Sequence, residues 1–219
     1  MERREVSSRS NTLIRGLASA LARSRITPNQ ISAFSAVIAL LVPVGLLCLG
    51  GWPGIVVALL GIQLRLLANV IDGLVAIEGG KASDVGALYN EFPDRISDSI
   101  VLVALGYAAD AASLGWLAAL LAALTAYVRA FGGALGLPQS FAGPMAKQHR
   151  MAVATVALLA FGIAMSLSAP GAALPRQCLL AGLAVICAGS AWTCVRRTRI
   201  VTAQLRARAA DAGRGVPSP

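Results

Sequence analysis

The chain has 219 residues, of which 57% are hydrophobic and 13% are charged. A soluble domain carries about 25% charged residues, whereas here the apolar residues fall into long runs with a mean hydropathy of +0.71, which excludes an ordinary soluble protein. The net charge of +9 does not indicate nucleic-acid binding, because no basic stripe is interleaved with exposed aromatic residues.

The N-terminal region, residues 1–30, is predicted to be cytoplasmic or to lie at the membrane interface. Within it, residues 11–24 place Leu13, Leu17 and Leu21 at i, i+4 and i+8, on one helix face. Such an amphipathic helix can lie in the interface with its arginines reaching the head groups, although an ordinary cytoplasmic helix fits the pattern equally well. The region lacks a continuous apolar core, so we do not expect a cleavable signal peptide.

Residues 31–200 are predicted to form one all-α integral membrane domain with six transmembrane helices. Each apolar run is near the ~17–25 residues that a helix needs to cross a bilayer. The third run is the weakest, because Asp98 and Ser99 occupy its first turns. The predicted spans are 33–51, 54–77, 96–112, 114–135, 151–169 and 177–195.

Basic residues alternate between the two sides of these spans. They are abundant before the first span and after the last, and Lys81, Lys147 and Arg150 lie in two of the inner connections. The other three connections hold only Arg176. This positive-inside pattern predicts that both termini are cytoplasmic, in the inner membrane of the cell. The tail, residues 201–219, is predicted to be basic and cytoplasmic, and disordered from about Arg208.

Acidic and amide side chains interrupt the apolar runs at the junction of spans two and three. A charged side chain at bilayer depth costs ~2.5–3.5 kcal/mol, so an intramembrane cluster of them is a functional site by default. The polar members are Asn69, Asp72, Asn90, Glu91, Asp94 and Asp98.

The spacing of these residues places them on two helix faces. Asn69 and Asp72 share one face of the second span, and Asn90, Asp94 and Asp98 share one face of the following helix. A short loop joins the two helices, so they run antiparallel and their polar faces are predicted to meet at the cytoplasmic side.

Pro93 leaves two arrangements of the second of these helices open. Proline is tolerated in a first helical turn and breaks a helix interior. The helix therefore either begins near Phe92, with Asn90 and Glu91 in a preceding turn, or is kinked at Pro93.

Every candidate ligand in this cluster offers oxygen. No cysteine is near, and the only histidine, His149, lies in a different loop. Oxygen ligands favour Mg²⁺, Mn²⁺ or Ca²⁺, and such ions polarise phosphoryl oxygens and orient leaving groups. The cluster therefore indicates phosphoryl transfer on a lipid. The neighbouring Gly73, Ala76 and Gly86 leave room for a nucleotide or pyrophosphate, or else serve close helix packing.

Four basic residues are candidates to bind a phosphate group of the acceptor or of the donor: Arg65, Arg129, Lys147 and Arg150. For Lys147 and Arg150, the positive-inside rule explains the charge equally well. Arg129 is expected to pair with a phosphate or a carboxylate, and Arg65, about one turn before Asn69, could pair with a carboxylate of the site.

The segment from residue 69 to residue 94 resembles the signature of the CDP-alcohol phosphotransferases, D-x(2)-D-G-x(2)-A-R-x(8)-G-x(3)-D-x(3)-D. The positions that match with intact spacing are Asp72, Gly73, Ala76, Gly86 and Asp94. Residues 27–31 resemble the start of the family's first span, and the six-span layout is also the one that the family implies.

Three positions depart from this signature. Asn69 and Asn90 replace aspartates, and Ile77 replaces the arginine, which resembles a divergent bacterial subgroup of the family. Glu91 and Asp98 lie beside the signature and could restore the lost ligand charges.

The resemblance implies transfer of a phosphatidyl or similar group from a CDP-linked donor, expected to be CDP-diacylglycerol, to an alcohol, with release of CMP, in phospholipid biosynthesis. It implies Mg²⁺ or Mn²⁺ as the cofactor and Asp94 as the general base. The expected metal ligands are Asn69, Asp72, Asn90, Glu91, Asp94 and Asp98. The expected CDP pocket consists of Asp72, Gly73, Ala76, Ser83 and Gly86.

The sequence does not decide the acceptor, which is a small polyol or polyol phosphate. The family implies a homodimer. Two alternative functions stay open: an inactive relative that binds a CDP-lipid, and a cation-coupled transporter. A transporter predicts acidic groups reachable from both sides, often on discontinuous helices, whereas this cluster is expected at one face only.

Overall fold

The computed structural model describes residues 12–24, 26–81, 85–169 and 171–213, and every element of secondary structure within them is a helix. The helices are α1 (Thr12–Ala22), α2 (Pro28–Ala39), the short α3 (Leu41–Pro43), α4 (Gly51–Glu78), α5 (Gly86–Ala108), α6 (Ala112–Ala134), α7 (Lys147–Leu167) and α8 (Leu174–Gly213). A π-helical stretch, Val44–Leu49, follows α3. The chain forms two compact units that divide between Ala104 and Leu105.

In the first unit, α2 begins where the sequence supplies a complete capping box. The Thr27 side chain accepts from the Gln30 backbone N–H, and the Gln30 side chain accepts from the Thr27 N–H at 3.0 Å. Pro28 follows the cap directly, where its missing N–H costs no hydrogen bond. The first membrane segment therefore starts at Pro28, five residues before the predicted residue 33.

A tight helical hairpin connects this segment to α4. Gly50 and Gly51 have φ values of 63° and 56°, the left-handed conformation that glycine adopts without strain. Below the turn, a Cβ added at Gly45 would collide with the carbonyl oxygen of Gly54, and one added at Gly54 would collide with that of Gly45. The two backbones are therefore in direct contact, as small residues permit in membrane helices.

The N-terminal helix α1 packs on the end of α4. Ala18 is fully buried in a cluster with Ile71, Leu74 and Val75, while Leu17 is 48% exposed. The buried residue at this turn of α1 is thus Ala18 and not the predicted Leu17, because a small residue is needed where two helices approach closely. Leu21 joins the cluster as predicted, and the side chain of Leu13 lies outside the described part.

In the second unit, α6 and α7 both pack against α8. The packing again depends on small residues, since a Cβ at Gly182 would lie 2.6 Å from the Cβ of Ala157. The helix α8 continues without a break to Gly213, so the expectation of disorder from Arg208 was wrong for residues 208–213. Arg208 and the three alanines of this stretch extend the helix because alanine and arginine are good helix formers.

Five of the described helical segments are long and apolar enough to cross a membrane. They are Pro28–Leu49, Gly51–Ile77, Ala112–Ala134, Lys147–Leu167 and Leu174–Ala212, and they correspond to five of the six predicted spans. The predicted third span lies in α5, which ends at Ala108 and whose first half carries Glu91, Asp94, Arg95 and Asp98. An integral membrane α-helical protein is therefore established, and the number six remains a prediction.

The helix α5 also settles the question that Pro93 raised. It begins at Gly86 and continues through Pro93, so it does not begin near Phe92. One turn later, the Ser97 hydroxyl donates to the Pro93 carbonyl oxygen at 2.7 Å. Asn90 and Glu91 are therefore part of the helix, and Asn90, Asp94 and Asp98 follow one another at single-turn intervals on it.

Candidate active site

The polar faces of α4 and α5 meet as the spacing predicted, and an arginine lies where they meet. Arg65 on α4 donates through Nη2 to Asp98 Oδ1 at 2.7 Å, to Asp94 Oδ1 at 3.4 Å and to the Asp94 carbonyl oxygen at 3.2 Å. The exposures of Arg65, Asp98 and Asp94 are 0%, 1% and 7%. A buried ion pair of this kind is costly to break, because removing one partner leaves the other charge poorly compensated.

Asn69 is the second contact between the two helices. Its Nδ2 donates to Asp94 Oδ1 at 2.9 Å, so two side chains of α4 converge on one oxygen of Asp94. The amide can donate here, whereas the aspartate of the family signature would place a second negative charge against Asp94. The departure from the signature at Asn69 therefore has a structural consequence: this residue orients Asp94 by a hydrogen bond.

Asp72 has a partner that the sequence analysis did not anticipate. The Ser32 hydroxyl on α2 donates to Asp72 Oδ2 at 2.5 Å and also contacts the Pro28 carbonyl oxygen at 3.1 Å. Both residues are 4% exposed. The only signal in the sequence was a pair of hydroxyl residues, Ser32 and Ser35, within an otherwise apolar segment.

The remaining two candidate metal ligands lie further out. Asn90 is exposed. Glu91 faces Arg95, whose Nη2 lies 3.6 Å from Glu91 Oε2 and 3.8 Å from Asp94 Oδ2. The Glu91 side chain is 46% exposed, and exposed ion pairs contribute little to stability. The structure thus brings together Asn69, Asp94 and Asp98 around Arg65, and links Asp72 to α2.

The donor set of this site fits Mg²⁺ or Mn²⁺ in its chemistry, because every candidate ligand atom is oxygen. Within the described ranges, no three His, Cys, Asp or Glu side chains are grouped so that they could hold a metal ion by themselves. Mg²⁺ does not require such a group, since it is commonly bound by one or two carboxylates together with substrate phosphates. The residues present are therefore compatible with an ion that the protein and its substrate hold jointly.

The expected CDP pocket is described only in part. Gly73 is buried, and Ala76 and Gly86 are half-buried. Ser83 lies outside the described residues. Ile77, which replaces the arginine of the signature, is 61% exposed at the end of α4. The assignment of these residues to a nucleotide stays a prediction.

The second unit contains a separate group of basic residues. Arg150 is 1% exposed and donates to the Met145 carbonyl oxygen at 3.0 Å and to Thr125 Oγ1 at 3.4 Å. Arg197, which the sequence analysis did not single out, is 5% exposed and donates to the Ala142 carbonyl oxygen at 2.9 Å. These partners are neutral oxygens.

The other two predicted phosphate ligands lie near the surface of the same unit. Arg129 stacks over the Phe141 ring at 5.2 Å from its centroid, a cation–π contact, and Lys147 is half-buried at the start of α7. Between residues 105 and 219 the sequence contains only two acidic residues, Asp110 and Asp211. This unit is therefore strongly basic.

Comparison with known proteins agrees with this description. The chain is 38% identical over 109 residues to archaetidylinositol phosphate synthase of Aeropyrum pernix. The matched region is 49% of this chain and 55% of that protein, so the chain spans about half the length of the curated relative. The resemblance to the CDP-alcohol phosphotransferases is therefore confirmed. No protein-family model matches the chain.

The fold of this chain is also found in solved structures. Phosphatidylinositol phosphate synthase of Mycobacterium tuberculosis with CDP-DAG bound matches with a TM-score of 0.66 at 22% identity, covering 87% of this chain and 94% of that one. The same enzyme in complex with manganese and citrate matches with a TM-score of 0.64 at 23% identity, covering 86% and 88%. At this level of identity the likeness establishes the shared fold.

Proposed function

We propose that the chain is a membrane phosphotransferase that transfers a phosphatidyl group from CDP-diacylglycerol to an alcohol and releases CMP. The observation that carries the proposal is the array of the buried Arg65, Asp94 and Asp98 and the half-buried Asn69 within apolar helices, at and beside the positions of the family signature. The relative from A. pernix is named as a synthase of a related lipid, and the M. tuberculosis enzyme of the same fold binds CDP-DAG. These names support the donor and the reaction type.

In the proposed reaction, the acceptor hydroxyl oxygen attacks the phosphorus that carries the diacylglycerol. The bond between that phosphorus and the bridging oxygen of CMP breaks, and CMP leaves with the bond's electron pair. The hydroxyl proton moves to the carboxylate of Asp94, which acts as the general base. Asn69 and Arg65 contribute by holding Asp94 Oδ1 in place, because a general base must be aligned with the proton that it accepts.

A divalent ion is the proposed cofactor, either Mg²⁺ or Mn²⁺, and the manganese complex of the M. tuberculosis enzyme supports it. Asp72 is the principal proposed ligand, with Asn69, Asn90, Glu91, Asp94 and Asp98 as further candidates. When bound, the ion would neutralise charge on the pyrophosphate and on the departing CMP. Gly73, Ala76, Ser83 and Gly86 are the proposed neighbours of the CDP group.

The acceptor is proposed to be a polyol or polyol phosphate. A strongly basic unit with buried Arg150 and Arg197 suits an anionic acceptor, because guanidinium groups bind phosphate with paired hydrogen bonds. Arg129 and Lys147 are further proposed ligands. The names of the relatives, which make inositol phosphate lipids, favour inositol phosphate among the acceptors to be tested.

We also propose a membrane topology and an oligomeric state for the enzyme. We expect six crossings, with both termini and the active site at the cytoplasmic face of the inner membrane, as the distribution of basic residues indicates. A homodimer is proposed from the family resemblance.

The deciding experiment is the release of CMP from CDP-diacylglycerol by the purified protein in lipid. Polyol and polyol-phosphate acceptors, including inositol phosphate and glycerol 3-phosphate, are supplied as a pool with Mg²⁺ or Mn²⁺. The controls are a chelator and Asp72→Ala. Metal-dependent release that is absent in Asp72→Ala supports the enzyme, and splitting the pool then identifies the acceptor. Release no greater than that of Asp72→Ala contradicts the proposed donor and favours an inactive relative that binds a CDP-lipid.

A further inference from the structure

The outward face of α8 changes from apolar to basic within one helical turn. Val185, Ala188 and Trp192 are exposed on this face, and Trp192 is 58% exposed. Arg196 and Arg199 follow one and two turns after Trp192 on the same face and are exposed as well. We call these two residues the outward arginines. A face that is apolar up to a tryptophan and basic beyond it is typical of a helix that passes from the hydrocarbon core to the head groups.

The inward face of the same helix shows what the fold requires of an arginine. Arg197 donates through Nε to the Ala142 carbonyl oxygen at 2.9 Å, and Arg208 donates to the Leu135 carbonyl oxygen at 3.1 Å. Both arginines therefore hold α8 against neighbouring segments of the second unit. The side chains of the outward arginines make no hydrogen bond or ion pair within the residues that the structure describes. The packing of this unit thus does not account for them.

The second unit contains no acidic side chain that could compensate the outward arginines. Residues 105–219 contain only two, Asp110 and Asp211. Asp110 pairs with Arg176, and Asp211 lies twelve residues beyond Arg199, about 18 Å along a helix. Exposed charges at such a separation are largely screened. The compensating negative charge is therefore expected from outside the chain.

The outward arginines lie at the depth of the lipid head groups. The helix α8 begins at Leu174, and about 20 residues of helix cross the hydrocarbon core. The helix therefore leaves the core near Trp192, and the outward arginines follow within the next two turns. Tryptophan is enriched at this level, and arginine side chains extend from it to the phosphates. Arg206 lies on the same face but seven residues beyond Arg199, about 10 Å further along the helix.

We propose that Trp192 and the outward arginines form a binding surface for an anionic phospholipid of the surrounding bilayer. The two guanidinium groups bind its phosphate oxygens with paired hydrogen bonds, and Trp192 contacts its acyl chains. The continuity of the apolar and basic parts favours a lipid, because a lipid carries acyl chains and an anionic head group in one molecule. A second copy of the chain, packed about a twofold axis on this face, would instead bring the same arginines together. The inference does not depend on the proposed reaction, because this lipid is neither the donor nor the acceptor.

The test is the quenching of Trp192 fluorescence by brominated phospholipids. Trp52→Phe and Trp116→Phe leave Trp192 as the single tryptophan of the three in the chain. This parent protein is placed in vesicles of equal parts phosphatidylcholine and phosphatidylglycerol, with bromine on the acyl chains of one lipid or of the other. Since bromine quenches at contact, the two measurements give the relative binding constant of the anionic lipid at this face.

We expect phosphatidylglycerol to be preferred at least fivefold at low salt. Each arginine near an anionic surface contributes about 1 kcal/mol, which is roughly a fivefold change in binding. Arg196→Gln combined with Arg199→Gln should abolish the preference, whereas Arg196→Lys combined with Arg199→Lys keeps the charge and should retain it. The matched control is Arg206→Gln, which makes the same change on the same face but about one Debye length further out, and it should keep most of the preference.

Three results would overturn the inference. Equal quenching by the two brominated lipids in the parent protein would show that the face does not select an anionic lipid. A preference that survives the paired glutamine substitutions would place its cause elsewhere on the chain. Quenching by neither lipid would show that protein, such as a second copy of the chain, covers Trp192.

Discussion

At the scale of single residues, the site depends on two side chains of α4 that converge on Asp94. Arg65 and Asn69 both donate to Asp94 Oδ1, and Arg65 continues to Asp98. Removing one partner of a buried ion pair costs ~3–5 kcal/mol, because the other charge is left without compensation. The amide and the guanidinium therefore fix the carboxylate that the proposed reaction needs.

Asp94→Asn should abolish turnover while nucleotide-lipid binding is retained. An amide of the same shape cannot accept the hydroxyl proton, and general bases contribute about 10²- to 10⁴-fold to rate. The measurements are CMP release and binding of CDP-diacylglycerol to the same preparation. Asp211→Asn, the same change at an exposed carboxylate outside the site, is the control. Equal loss of binding and turnover in Asp94→Asn would show that Asp94 acts as a ligand more than as a base.

Asn69→Asp should reduce turnover although it restores the family signature. The new carboxylate would face Asp94 Oδ1 across the present 2.9 Å contact, so a stabilising hydrogen bond becomes a repulsion between like charges. CMP release of this variant is compared with that of Asn90→Asp, which restores the other aspartate at an exposed position and should lose less. Full activity of Asn69→Asp would contradict the orienting role given to Asn69.

Residue spacing predicted these contacts only where they lie on neighbouring helices. The one-turn interval from Arg65 to Asn69 and the period of Asn90, Asp94 and Asp98 are local, so the meeting of the α4 and α5 faces followed from the sequence and was confirmed. Ser32 and Arg197 were missed because their partners, Asp72 and the 142–145 loop, are 40 or more residues away in the sequence. No periodic pattern encodes a hydrogen bond between such distant segments.

At the scale of helices, close approach through small residues determines how the first unit is held together. The hairpin between the first membrane segment and α4 places Gly45 against Gly54 with no space for a side chain. Membrane helices gain most of their association from such packing, because lipid offers no hydrophobic driving force between them. The sequence showed the glycines, but it could not show which pairs of them are in contact.

Gly54→Ala should destabilise the protein, because its Cβ would collide with the backbone oxygen of Gly45, which cannot move aside as a side chain could. Overpacking of this kind costs about 1–3 kcal/mol. Gly16→Ala is the matched control, since nothing lies within 4 Å of the added Cβ on α1 and alanine favours a helix by roughly 0.5–1 kcal/mol. Thermal unfolding in detergent should show a lower midpoint for Gly54→Ala only. The same midpoint for both variants would contradict the tight hairpin.

At the scale of the whole molecule, the structure contains five of the six membrane segments that the sequence predicted, and the sixth, in α5, stays a prediction for a physical reason. The functional carboxylates lie in the first half of this helix, so only its second half is continuously apolar. Helices that carry a site are the ones that hydropathy identifies least well, because the chemistry requires polar groups where the membrane disfavours them.

Charge favours a crossing by α5. The Asp110–Arg176 ion pair joins the connection before α6 to the start of α8. It compensates the charge of Arg176, which is the only basic residue in the three connections that lack Lys81, Lys147 and Arg150. Lys81 and Lys147 precede and follow α5 and α6 in the sequence. Because α6 is long and apolar enough to cross the membrane, the two lysines lie on one side only if α5 crosses it as well, and the positive-inside rule favours that arrangement.

Labelling with a membrane-impermeant thiol reagent in cells tests this topology. Single cysteines are introduced at Val85 and at Ser113, which flank α5 and are exposed, after the four native cysteines have been replaced. We expect Ser113→Cys to be labelled in intact cells and Val85→Cys to be labelled only after permeabilisation. Pro144→Cys, in the basic connection before α7, should behave like Val85→Cys. If Val85→Cys and Ser113→Cys are labelled from the same side, α5 does not cross the membrane, and the prediction of six spans is wrong.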